Sequence, residues 1–232
     1  MGIRSASEIT IIGTNVRGWG ALVKRKKMLQ HFENFMPSII AVSDTRFDEE
    51  SERLLRTDCE YNIYCSNYLS NARGTMIMVK KTCPIIVKKV ETDGNGNRVT
   101  ISFTLYNKSM SISALYSPND EDPNFLNETF RKTFDNNSEF NIILGDFNNA
   151  PSLDLDYKNY LTIRNPNTRT ALCDNIEKYK CVDLFRHKYP NRKVFTWKGD
   201  GWNMPEARLD NVIAGDNIIP YVKNVKIREA YL

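Results

Sequence analysis

The chain has 232 residues, of which 41% are hydrophobic and 26% charged, and carries a formal net charge of +4 at neutral pH. That is the composition of a globular domain: no apolar run approaches the ~20 residues that a membrane-spanning helix needs. The five cysteines are odd in number and lack CxxC spacing, so neither a disulfide framework nor a zinc site is indicated, and a reducing compartment is the natural inference.

Residues 1–8 read as a leader or an artificial remnant, and 9–232 as one domain. A strand over 9–12 stops at Gly13-Thr14-Asn15. Apolar residues at Leu22, Met28, Leu29, Phe32 and Phe35 predict a helix over 21–36, ending before Pro37. Residues 38–42 form a buried strand. The runs 76–79, 85–90 and 99–105 read as antiparallel strands, with Asp93-Gly94-Asn95-Gly96-Asn97 supplying a hairpin turn. A strand over 110–115 leads into Tyr116-Ser117-Pro118-Asn119. Helices follow over 123–134 and 169–179, and short strands over 194–197 and 208–214. Irregular alternation of strands and helices favours an α/β core of two sheets with helices outside over a doubly wound parallel sheet.

The chemistry lies where the strands end. Gly145-Asp146-Phe147-Asn148 follows the apolar run 140–144, and an Asp and an Asn two residues apart would share one side of the pleat. Other strands finish on Asn15, Asp44, Tyr116 and Asp210. Gathered at one edge of two packed sheets, these residues would make a ring of oxygen donors suited to a hard divalent cation, Mg²⁺ first. Such a site can hold a phosphodiester, orient a water and steady a departing oxygen. Taken singly, Asn15 and Asp44 also read as turn formers, Tyr116 as a core cap, and Asp210 as a surface partner of Arg208.

In serial order, Gly13-Thr14-Asn15-Val16-Arg17-Gly18, Ser43-Asp44-Thr45, Leu115-Tyr116-Ser117-Pro118-Asn119, Gly145-Asp146-Phe147-Asn148, Phe195-Thr196-Trp197 and Arg208-Leu209-Asp210 resemble the endonuclease/exonuclease/phosphatase superfamily. Within it the chain looks most like the apurinic-type endonuclease domains of non-LTR, LINE-like retrotransposons of the L1 and Tx1 branches. Their stretch resembling Asp183-Leu184-Phe185-Arg186 runs through Tyr189-Pro190 to Phe195-Thr196-Trp197.

The resemblance implies a four-layered α/β sandwich of the DNase I-like kind, two mixed sheets flanked by helices, that cleaves one strand of double-stranded DNA with Mg²⁺, or Mn²⁺ in its place. It implies that Asn15 contacts the metal region and the scissile phosphate, that Asp44 is the metal ligand, and that Tyr116 donates to the phosphate. It further implies that Asp146 and Asn148 orient the attacking water, that Thr196 contacts DNA, and that Asp210 orients a catalytic histidine. The nick would prime reverse transcription by a reverse transcriptase domain of the same polyprotein. The site of action would then be intracellular, in the nucleus, with no membrane partner.

Two departures stand out. The metal-ligand position of the family holds Glu, where this chain has Asp44 in Ser43-Asp44-Thr45. The family's closing Ser-Asp-His motif is expected about where this chain reads Ala230-Tyr231-Leu232, and neither His31 nor His187 falls where the pattern wants one. A truncated fragment, a decayed copy and a partner chain supplying the missing piece are the three explanations. On this reading the chain as written is a poor nuclease, since a lost acid, base or phosphate contact costs ~10²–10⁴-fold.

Among basic residues, Arg17 is nearest the expected site, and Lys198 flanks Phe195-Thr196-Trp197. Trp202, in a loop over 200–206, is a candidate groove contact. Lys24-Arg25-Lys26-Lys27 reads as a solvated helix face with a phosphate-tracking role left open. A noncatalytic DNA-binding domain that keeps the fold is the alternative function, and a phosphoesterase acting on a phosphoinositide or sphingolipid headgroup is a third.

Overall fold

The computed structural model describes residues 8–57, 59–160, 162, 164–200 and 203–228. Four strands form the first sheet in the order β1-β2-β4-β3, where β1 is Ile11–Asn15, β2 Ile39–Ser43, β3 Tyr61–Ser66 and β4 Thr75–Lys80. The second sheet has β5 (Ile85–Thr92), β6 (Arg98–Leu105), β7 (Lys108–Tyr116) and β8 (Phe140–Asp146), with β10 (Cys181–Asp183) and β13 (Asp210–Gly215) beyond them. Its order is β10-β13-β8-β7-β6-β5. Both sheets are mixed: β1 pairs β2 and β7 pairs β8 in parallel, and the remaining pairs are antiparallel.

Strand alternation sorts the apolar residues into two faces. Ile39 and Ala41 of β2, Ile112 and Ala114 of β7, Ile142 and Leu144 of β8 and Ala214 of β13 meet between the sheets. The opposite faces are covered by helices. Met28 and Phe32 of α1 (Leu22–Glu33) and Leu55 of α2 (Glu49–Thr57) pack on Ile40, Val42, Met76 and Met78 of the first sheet. Leu126 and Phe130 of α3 (Pro123–Phe134) and Leu172 of α5 (Pro166–Lys178) pack on Leu115, Ile143 and Ile213 of the second. The result is the four-layered sandwich that the family resemblance implies. No helix among the described residues is long and apolar enough to cross a membrane.

Local chemistry sets the helix ends. Pro123 opens α3, and the Asp122 side chain accepts from the Phe125 N–H at 3.0 Å. Its buried residues Leu126, Thr129, Phe130 and Thr133 recur at helical spacing. Helix α2 has Glu49, Glu50 and Glu52 in its first turn and Arg56 in its last, the polarity that the helix dipole favours. It buries only Leu55, so its apolar pattern is too sparse to announce it, and neither α2 nor β3 is anticipated by the sequence reading.

Several boundaries shift. The first strand runs through Asn15 instead of stopping before Gly13, and the strand expected over 194–197 shrinks to β11 (Trp197–Lys198). β11 joins β9 (Tyr157–Lys158) and β12 (Glu206–Ala207) in a small third sheet, in the order β11-β12-β9. The short helices α4 (Leu153–Asp156) and α6 (Leu184–Lys188) and a 3₁₀ turn over Asp216–Tyr221 complete the chain.

Candidate active site

The rows of apolar residues between the sheets end in polar ones at a common edge. On β7 the row Ile112, Ala114 continues to Tyr116; on β8 Ile142, Leu144 continues to Asp146; on β13 Ala214, Val212 continues to Asp210. Register puts them side by side, with Tyr116 opposite Asp146 and Asp146 opposite Asp210. From the facing sheet, Asn15 closes the row of β1, and its side-chain amide donates to Asp146 Oδ2 at 2.8 Å, joining the two sheets. The Ser43 hydroxyl makes a second crossing, donating to the Leu115 carbonyl at 2.9 Å.

Gly145 makes this closure sterically feasible. It has φ +135°, and a Cβ there would lie 2.1 Å from the Leu115 carbonyl oxygen, so no side chain fits. Asn148 is not on the pleat beside Asp146, as the sequence reading has it, because β8 ends at Asp146. Asn148 sits instead in a left-handed turn (φ 47°), where its N–H donates to Asp146 Oδ1 at 2.9 Å and its side chain donates to the Ser117 carbonyl at 2.5 Å.

Burial pushes the Asp146 carboxyl above its ordinary range, against the opposing hydrogen bonds from Asn148 and Asn15. The same cause, with the Asp146 charge opposite, takes Asp210 up to about 7. Thr196 and Arg17 oppose that rise, and Asp210 Oδ1 is buried with no hydrogen-bond partner among the described residues. Burial and the nearby Asp44 raise the Tyr116 phenol, which therefore stays a proton donor.

Asp44 stands apart. It follows β2 in a left-handed conformation (φ 55°), its side chain is only 4% exposed, and both carboxylate oxygens accept from Arg46. Nε donates at 2.9 Å and Nη2 at 2.7 Å, a bidentate fork. The donor set fits a magnesium-type ion in kind, since Asp44 and the Asn15 amide oxygen are hard oxygen ligands. Among the described residues, no cluster of three or more His, Cys, Asp or Glu could hold a metal ion.

The remaining candidates divide. Arg17 is exposed, faces Asp146 and Asp210 electrostatically, and donates its N–H to Asn15 Oδ1 at 3.0 Å. The Thr196 hydroxyl oxygen accepts the N–H groups of Leu209 and Asp210 at 3.0 and 3.1 Å, which makes Thr196 a positioning group for Asp210. Lys198 pairs with Glu206 at 3.4 Å, and Trp202 lies outside the described residues. The pairing of Arg208 with Asp210 at the surface is corrected. Arg208 is fully buried, where its guanidinium binds Asp156 at 2.8 and 3.0 Å and also holds Asp183.

Within the lysine-arginine run, Lys24 donates to the Val16 carbonyl at 2.7 Å and Arg25 is buried over the Phe47 ring, leaving Lys26 and Lys27 exposed. His31 packs edge-on against Phe35 on α1, and His187 lies on α6 beside Ile219 and Val222.

Sequence reasoning missed three participants. Arg46 follows Asp44 by two residues, and that Asp-x-Arg spacing was its one signal. Asn97 donates from its side chain to the Tyr116 carbonyl at 2.6 Å and accepts from Arg73 at 3.1 Å. Arg73 in turn lies 4.7 Å above the half-exposed Tyr68 ring. The last two carried no signal, because they enter from loops that only the fold brings to the site.

Two mixed sheets packed face to face with helices on both outer faces are a DNase I-like fold. Solved structures with this fold include the AP endonuclease LMAP from Leishmania major, at 16% identity and a TM-score of 0.70, covering 91% of this chain and 79% of that one. The 3′ phosphatase NExo from Neisseria, solved bound to a product DNA hairpin, is similar at 15% identity and a TM-score of 0.66, covering 91% and 88%. The endonuclease domain of TRAS1, a telomere-specific non-LTR retrotransposon, is similar at 11% identity and a TM-score of 0.65, covering 93% and 89%. No protein-family profile matches the chain.

Proposed function

We propose that this chain is a metal-dependent endonuclease domain of a LINE-like retrotransposon polyprotein, nicking one strand of double-stranded DNA. The nick would prime a reverse transcriptase domain of the same polyprotein, acting in the nucleus. The observation that carries the reading is the Asn15–Asp146 bond between the sheets, with Tyr116 and Asp210 flanking it on the same face. The likeness in fold to nucleases, among them a retrotransposon endonuclease domain, supports it.

Each side chain has a task in that chemistry. Asp146, held by Asn15 and Asn148 and raised above its ordinary range by burial, is the base that takes a proton from the attacking water. The Tyr116 hydroxyl donates a hydrogen bond to a phosphate oxygen, and Arg17 supplies positive charge near Asp146. Asn15 and Asp44 are the residues that would hold Mg²⁺, or Mn²⁺ in its place. When bound, the ion supplies charge neutralisation at the phosphate and at the departing oxygen.

Nicking of supercoiled plasmid in Mg²⁺ tests the reading. Asp146→Ala is expected to lower the rate ~10²–10⁴-fold with the fold intact. Equal rates in the two proteins would remove the assignment. Two observations favour a second reading, a DNA-binding domain that keeps the fold without turnover: the unpartnered Asp210 Oδ1 and the fork that closes Asp44. Folded wild-type protein that binds duplex DNA and never nicks it would establish that alternative.

A further inference from the structure

The Asp44 carboxylate is buried, yet it is already neutralised by a residue of its own turn. The segment Asp44-Thr45-Arg46 is clamped on both sides. Gly18 and Trp19 donate their N–H groups to the carbonyls of Asp44 and Thr45 at 2.7 Å. Thr45 and Arg46 donate theirs to the carbonyls of Gly74 and Arg73 at 3.0 and 2.8 Å. Both Asp44 and Arg46 take left-handed backbone angles, φ 55° and 51°, conformations that non-glycine residues adopt at a cost. The two residues are thus turned toward each other and held there. The Arg46 stem passes over Gly18, where even a Cβ would touch its Cδ at 3.4 Å.

Arg46 itself is 41% exposed at the side chain, so its fork is hinged at a fixed backbone while its head reaches solvent. Both oxygens of Asp44 are engaged, and a cation cannot share them with a bidentate guanidinium. Near the fork lies Tyr116, the proposed phosphate donor.

We infer that Arg46 is a resident counter-ion of Asp44 that a divalent cation must displace, so that Arg46 sets the metal concentration at which the site fills. The inference rests on the nuclease reading, because it assumes that the Asp44 carboxylate is where the ion binds. It deepens that reading by making metal loading an exchange. The guanidinium leaves the carboxylate as the ion arrives, and positive charge at the site never falls to zero. Its release also frees a planar donor fork beside Tyr116, a shape matched to a phosphate.

The test is Mn²⁺ affinity at neutral pH, read from the paramagnetic resonance of the free ion. It compares the wild-type chain with Arg46→Met, Arg46→Lys and Asp44→Asn, each checked for folding by circular dichroism. Arg46→Met is expected to bind at least about tenfold tighter than wild type, the factor that one hydrogen bond to a charged group is worth. Arg46→Lys, which keeps charge and loses the fork, is expected to fall between, and Asp44→Asn to bind weakest.

An affinity for Arg46→Met equal to or below wild type would overturn the inference and leave the nuclease reading standing. So would tightening by Arg46→Met that persists in the Asp44→Asn background. Absence of Mn²⁺ binding in every variant would instead remove the metal from the proposed function. In the wild-type chain the Arg46 Nε–H resonance reports the same exchange without mutation: it should shift and lose protection as Mg²⁺ is added. A resonance that stays fixed while Mg²⁺ binds would also overturn the inference.

Discussion

The two halves of the site solve the same problem in opposite ways. On the six-stranded sheet, Asp146 and Asp210 sit opposite each other across an antiparallel pair with few compensating groups, and burial raises both carboxyls. On the four-stranded sheet, Asp44 is equally buried but gripped by Arg46. Burial disfavours the charged form of the first two carboxyls, whereas the third is bound through both oxygens by a guanidinium. On the proposed function, the first half is suited to exchanging protons and the second to holding positive charge. An enzyme that breaks a phosphodiester needs both, placed within one cleft and kept chemically apart.

The largest expected effect comes from undoing what supports the proton-moving half. Arg208, two residues before Asp210, is fully buried between Asp156 and Asp183, also donates its N–H to the Asp156 carbonyl at 2.9 Å, and lies over the Phe185 ring. Arg208→Met takes the guanidinium from Asp156 and Asp183 and leaves Asp156 with Arg186 as its remaining cation, so it should cost about 3 kcal/mol of unfolding free energy in a denaturant titration, the low end for a broken buried pair. A loss below about 1 kcal/mol would mean that the network is an incidental surface-type cluster.

Next in size is Asp210 itself. Its folded-state carboxyl lies at about 7, above the ordinary 3.8. Between those values the folded protein keeps a proton that the unfolded chain has lost. The protonated state's stability is therefore full below about pH 4 and lost as pH rises through about 7. Asp210→Asn mimics the protonated acid, so it should be more stable than wild type at pH ~8, by roughly 1–3 kcal/mol or about 2–10 °C in Tm. The advantage should vanish near pH ~4, where both carry a neutral group. A difference that does not depend on pH would show that Asp210 is ordinarily ionised and would erase the contrast between the halves.

Much of this edge was legible in the chain, for reasons that the structure makes plain. Asp146 and Asp210 announced themselves because each interrupts an apolar run, and α3 because Pro123 and the spacing of Leu126, Phe130 and Thr133 agree. The two-sheet core with helices outside followed from the irregular alternation of strands and helices, and the four layers from the family resemblance. What stayed hidden depends on turns. Asn148 reaches Asp146 through a left-handed turn instead of a shared pleat, and the Asp44–Arg46 fork needs two positive φ angles. The role of Thr196 exists only once β13 starts beside it, through the N–H groups it accepts. The third sheet is built of two-residue strands that have no period to read.

The smallest expected effect separates an exchangeable Asp44–Arg46 pair from a purely structural one. Asp44→Asn removes the charge that Arg46 grips, but the guanidinium is 41% exposed and can turn to water, so nothing is left buried and unpaired on that side. The cost should stay near the ~1 kcal/mol of a half-exposed pair, well under that of Arg208→Met. The amide can still accept one of the two donors, which trims the loss further. A measured cost approaching that of Arg208→Met would show that Arg46 is a structural staple of the turn over residues 44–46. In that case the fork would not open for a cation, and the two halves would differ in composition but not in task.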